Sequence, residues 1–119
     1  MAIHNELGKK GEQLAANYIL KKGYTILEKN WRYLKAEIDI IAQTENTLVI
    51  IEVKTRSSDF FGDPQDFINE KKIKLLVQAA NEYVISRNLD VEVRFDIVAV
   101  LLNSKTEKIE HLESAFLYF

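Results

Sequence analysis

Three charged residues stand inside runs that should be buried. Ile38-Asp39-Ile40-Ile41-Ala42 carries a carboxylate, and Leu48-Val49-Ile50-Ile51-Glu52-Val53-Lys54 carries a carboxylate and an ammonium. Taking such groups out of water is costly unless they are paired or hold a cation. Both runs are short and rich in Ile and Val, with Thr44-Glu45-Asn46-Thr47 between them, which predicts a β-hairpin. With Glu45 and Asn46 as a two-residue loop, Thr44 faces Thr47. Counting outward then sets Asp39 opposite Glu52 and Glu37 opposite Lys54. Directly opposed residues share a sheet face with Cβ atoms about 5 Å apart. Lys54 follows Glu52 by two and shares that face. A loop of odd length would break this phase.

Facing carboxylates repel each other. A divalent cation would relieve the repulsion, and two oxygen ligands leave room on magnesium for water and phosphate. A neighbouring ammonium can stabilise charge on a phosphate or orient an attacking water. The alternative is a solvated hairpin whose Glu37, Asp39, Glu52 and Lys54 form salt bridges. Apolar residues on both faces of the second run count against it.

The elements that must position these groups follow from pattern. Residues from about Asn5 to Lys22 read as a helix with Leu7, Gly11, Leu14, Ala15 and Tyr18 on one stripe, closed by Lys21-Lys22-Gly23. Gly8 and Gly11 in that helix suggest close packing against a sheet. Glu12 flanks the stripe; it either faces water or is a further acid aimed at the site. Tyr24–Arg32 reads as a strand, with Trp31 expected in the core and Arg32 either exposed or on a phosphate. After the hairpin, Ser57–Gln65 is a loop holding Phe60, Phe61 and the only proline, Pro64. Asn69 is an N-cap for a second helix running to about Arg87, with Leu76, Ala79, Ala80, Tyr83 and Val84 buried. Lys71, Lys72 and Lys74 crowd its first turns against the helix dipole. Phosphate contact and plain solvation both account for them. Val91–Leu102 is a long strand that becomes buried as it proceeds, and Asp96 in it either bonds structurally or supports the site. Lys108–Leu112 is a short edge strand, and Ala115–Phe119 is an apolar tail that packs on this subunit or on a partner.

The order α-β-β-β-α-β-β predicts an α/β fold with a mixed sheet flanked by helices. Its third and fourth strands should be parallel, joined by a right-handed crossover. The 119 residues make one domain, 1–119. Having no cysteine excludes disulfides and thiolate metal sites. No apolar run approaches membrane-spanning length, so the expectation is a cytoplasmic protein without a membrane partner. The net charge of -2 gives no global basic field, yet residues 1–36 carry +4 and the remainder -6. A basic N-terminal part beside an acidic centre suits a nuclease, and chance in ordinary solvating surface charge accounts for it equally well.

Motifs across nearly the whole chain resemble those of the YraN-like bacterial family. They are Gly11-Glu12, Asn30-Trp31-Arg32, Glu37-Ile38-Asp39-Ile40-Ile41, Glu52-Val53-Lys54-Thr55-Arg56, Phe61-Gly62, Lys72, Arg94-Phe95-Asp96 and His111 through Ala115-Phe116. Ala36 departs from the glycine usual before Glu-Ile-Asp. That family is itself similar to archaeal Holliday-junction resolvases and the PD-(D/E)XK nuclease superfamily. The resemblance implies a restriction-endonuclease-like core. It implies Asp39 and Glu52 as ligands of Mg2+ or Mn2+, with the Val53 carbonyl, and Lys54 as the catalytic lysine. It makes Glu12 the acid that resolvase-like members carry on the first helix. Arg32, Thr55, Arg56 and Lys72 would bind nucleic acid, with Glu37 and Asp96 in secondary roles. The implied activity is metal-dependent endonuclease hydrolysis of DNA phosphodiester bonds on branched or structured DNA, for which a homodimer with two sites would be apt. The alternative is a non-catalytic nucleic-acid-binding or assembly protein that retains the fold.

Overall fold

The computed structural model describes residues 2–58 and 68–116. The chain runs α1 (Ala2–Lys21), β1 (Thr25–Tyr33), β2 (Ala36–Thr44), β3 (Thr47–Arg56), α2 (Glu70–Ser86), β4 (Glu92–Leu102) and β5 (Glu107–Leu112). One five-stranded sheet has the order β1-β2-β3-β4-β5. β3 and β4 pair in parallel and the other neighbours antiparallel. The fold is α/β with a mixed sheet and two helices, as the pattern predicted. Phe60, Phe61, Gly62 and Pro64, and the last three residues of the tail, lie outside the described residues.

Both helices end through local chemistry. At α1, Gly23 takes φ 95, and the amides of Gly23 and Tyr24 donate to the carbonyls of Leu20 at 3.0 Å and Ile19 at 3.2 Å. Glycine adopts that φ without strain, so the helix stops there. At α2 the Asn69 side chain accepts from the Lys72 amide at 2.8 Å, and Asn88 at φ 53 closes the far end.

The helices cover opposite faces of the sheet. Ala15, Ala16 and Ile19 of α1 pack on Ile40, Ala42, Val49, Ile51, Val53, Val98 and Val100. Burying a side chain such as Ile19 is worth roughly 1.5–3 kcal/mol. Leu76, Ala79, Ala80 and Tyr83 of α2 pack on Ile38, Ile41, Leu48, Ile50 and Phe95. Trp31 joins this second layer, edge-on to Tyr83 with ring centroids 5.2 Å apart. Phe116 of the tail also packs here, 5.3 Å from the Phe95 ring, so that part of the tail is satisfied within the subunit.

The two helix glycines part company. A Cβ on Gly11 would overlap Thr55 Oγ1 and lie 2.6 Å and 2.7 Å from its Cγ2 and Cβ. Only glycine lets α1 cross β3 there. A Cβ on Gly8 would meet nothing within 4 Å, so the expectation of close packing at Gly8 is corrected.

The hairpin follows the predicted register from Thr44↔Thr47 to Ile40↔Ile51, with Glu45 in the turn at φ 51. The ladder stops at Ile40↔Ile51. Ile38 and Ile40 sit in opposite core layers although two residues apart. Side chains of a regular strand alternate, so the alternation breaks at Asp39.

Candidate functional site

The β2–β3 ladder opens where the charged residues begin. Asp39 Oδ2 accepts the Val53 amide at 2.8 Å, so a side chain replaces a backbone acceptor. The N–H and C=O of one strand residue point to the same side. The Val53 carbonyl therefore also faces the gap between the strands. Asp39 is half-buried, and Glu52 is 4% exposed. Burial and the Glu52 charge push the Asp39 carboxyl up to about 7, partly offset by the Val53 amide.

Glu52 shares the α2 face with Leu48 and Ile50 by alternation. Its Oε2 stands 3.6 Å from Lys54 Nζ and in contact with Lys72 Nζ. Lys72 arrives from the first turn of α2, set by the Asn69 cap. Burial alone would lower its ammonium, but the bond to Glu52 outweighs this and raises it. Two ammonium groups on one carboxylate lower the cost of burying Glu52. Lys72 was expected as a nucleic-acid contact; here it is engaged inside the site.

Glu37 does not meet Lys54. It pairs with Arg32 across β1–β2 at 3.3 Å, while Lys54 pairs with Glu52, so the expected Glu37–Lys54 pairing is corrected. The ladder that would have imposed it ends before Asp39. Arg32 keeps 76% of its side-chain surface exposed, at the rim. Thr55 lies against Gly11 of α1, and half-buried Arg56 follows Lys54 by two on its face.

Glu12 approaches from α1. Burial, then the Glu37 charge, raises its carboxyl, with Glu52 adding less, while a hydrogen bond from Asn30 opposes the shift. Asn30 takes φ 52 within β1. The acids influence one another through space, yet among the described residues no three His, Cys, Asp or Glu side chains are grouped to hold a metal ion. The donor set is two carboxylates and one carbonyl. These are hard oxygen donors of the kind magnesium and manganese take, with the remaining positions left to water.

Asp96 belongs to a different place. It pairs with Ile51 in the β3–β4 register and so lies on the α1 face, opposite Glu52. Its carboxylate accepts from Arg94 Nε at 2.9 Å and the Ser114 amide at 3.0 Å, and stands 2.7 Å from His111 Nε2. Burial would raise its carboxyl, but the bonds from His111 and Arg94 hold it below the usual range. Asp96 thus ties β5 and the start of the tail to β4. Sequence reasoning missed His111 and Tyr24 as its surroundings; the two-residue spacing of Arg94 and Asp96 was the available signal.

The fold and this geometry define an α/β protein with a carboxylate–lysine cluster where two central strands part. Neither described helix is long and apolar enough to cross a membrane. The chain belongs to the uncharacterised protein family UPF0102, whose model matches residues 11–100. It is 64% identical to a UPF0102 protein of Flavobacterium psychrophilum and 60% identical to one of Christiangramia forsetii, each over 119 residues and the full length of both chains. It is 51% identical to one of Thermodesulfovibrio yellowstonii over 111 residues, covering 93% of this chain and 96% of that one. The YraN-like motifs read from the sequence belong to this same family.

Proposed function

We propose that this protein is a divalent-metal-dependent endonuclease that hydrolyses DNA phosphodiester bonds. One observation carries the reading: Asp39, Glu52 and Lys54 converge where the β2–β3 ladder opens. Asp39, Glu52 and the Val53 carbonyl would hold Mg2+ or Mn2+. Such an ion, when bound, neutralises phosphate charge and lowers the pKa of water. Lys54 presents its ammonium to the phosphate or orients the attacking water. Lys72 holds Glu52 in this structure and would be freed for a phosphate if a cation held that carboxylate. Glu12 adds negative potential from α1, and Arg32, Thr55 and Arg56 would flank the bound strand. Two copies of the chain would supply two such sites for branched DNA.

A second reading is a non-catalytic nucleic-acid-binding or assembly protein. It draws support from Glu52, whose charge Lys54 and Lys72 already balance without metal. The deciding experiment is cleavage of plasmid, linear and four-way-junction DNA with magnesium or manganese. Wild type and Lys54→Ala are purified identically to control for contaminating nucleases. The nuclease reading expects cleavage by wild type alone. Equal cleavage by both removes the role of Lys54, and no cleavage by either favours the binding protein.

A further inference from the structure

Beside the candidate site lies a cavity of about 250 Å³ between the β1–β2 turn and the start of α2. Ala36, Leu75 and Leu76 give it an apolar floor, and Lys35, Lys71, Lys72 and Glu37 surround it. Glu37 is tied to Arg32, while Lys35 and Lys71 have no ion pair among the described residues. The net charge around the floor is positive. Leu34, one residue before Lys35, is 75% exposed and takes φ 55. A large apolar side chain is thus held in water, in a conformation leucine rarely adopts, on the turn that forms one wall.

We infer that this cavity is a nucleotide subsite that takes one unpaired nucleotide of the bound strand. An apolar floor with cations at its edge suits a flat base joined to a phosphate. Its volume falls just below the roughly 300–1,000 Å³ of small-molecule pockets, room for one nucleotide and not for a base pair. Lys72 joins the two places, lining the cavity while its ammonium contacts Glu52. A strand that crosses the site beside Lys72 therefore brings one nucleotide to the cavity mouth. A paired nucleotide cannot enter, because its partner base comes with it. Leu34 is placed to cap the last stacked pair as an apolar wedge. The inference rests on the nucleic-acid reading above, and it selects strands with an unpaired nucleotide beside the bond that is cut.

The test is a methyl NMR titration without divalent cations, following Leu34, Ala36, Leu75 and Leu76. The probes are thymidine 5′-monophosphate, a 5′-phosphorylated thymidine tetranucleotide and a blunt duplex. The tetranucleotide should shift these methyls at a lower concentration than either other probe. Lys35→Glu and Lys71→Glu, both at exposed positions, should keep the wild-type Tm. Each should weaken tetranucleotide binding about tenfold, the loss of one charge-assisted phosphate contact. Lys54→Ala should lower tetranucleotide affinity only modestly and still let these methyls shift at saturation, whatever cleavage assays show. Shifts without cleavage would thus sink the nuclease and keep the subsite; cleavage without shifts would do the reverse. Equal response to the duplex, equal affinity for the mononucleotide, or full affinity in Lys71→Glu would each overturn the subsite.

Discussion

The metal-free protein should become more stable when Asp39 loses its charge. The Asp39 carboxyl is raised from 3.8 to about 7, first by burial and then by Glu52. A raised carboxyl pKa means that the folded state binds more protons than the unfolded chain across that window. Stability is therefore full below the unfolded value and falls as pH rises toward the folded one. The shift from 3.8 to about 7, at about 1.4 kcal/mol per unit, sets a ceiling of about 4 kcal/mol. Solvent reaches this half-buried group, so roughly 1–3 kcal/mol is the expected penalty at pH 8. The substitution Asp39→Asn would keep a side-chain oxygen to accept the Val53 amide and would remove the charge. It should thus raise unfolding free energy by that amount at pH 8 and leave it nearly unchanged at pH 4. Urea denaturation in the presence of EDTA, repeated between pH 4 and 8 on both proteins, measures this. A variant that is equally destabilised at both ends would show that Asp39 is a structural hydrogen-bonding group and not a strained charge, and the reasoning would fail.

Magnesium should act in the same sense, raising the Tm of wild type more at pH 8 than at pH 5 and leaving Asp39→Ala unmoved; differential scanning fluorimetry reads both. Gly11→Ala gains up to about 1 kcal/mol of helix propensity but forces α1 off Thr55, a net loss of roughly 1–3 kcal/mol. Gly8→Ala meets nothing and should gain about 0.5–1 kcal/mol; chemical denaturation of the pair checks the contrast. Asp96→Ala leaves the Arg94 charge and His111 without their shared partner and should cost about 3–5 kcal/mol. Because the Asp96 carboxyl is held low, its contribution is present at neutral pH and lost on acidification, so the variant should show a flatter stability curve below pH 4.

What the sequence determined is local. An even loop at Glu45-Asn46 fixed which residues pair across the hairpin, because strand side chains alternate with a period of two. Asn69 and Gly23 set a helix start and a helix stop through backbone geometry that each residue type supplies by itself. The type and position of Asp39, Glu52 and Lys54 marked a costly burial before any coordinates, since charge inside an apolar run is legible one residue at a time. Tertiary structure decided the rest. The ladder ended at Ile40↔Ile51 because the Asp39 side chain took an amide that a backbone carbonyl would otherwise hold, and this gave Glu37 to Arg32 instead of Lys54. Lys72 reached Glu52 only because α2 packs on that face, and Asp96 turned away because its register sets it beside Ile51. Gly8 and Gly11 are the same residue type one helical turn apart, and only the position of Thr55 on a distant strand separates them. Such pairings join residues whose separation along the chain carries no period, so they follow from how the layers meet and from nothing in the local pattern.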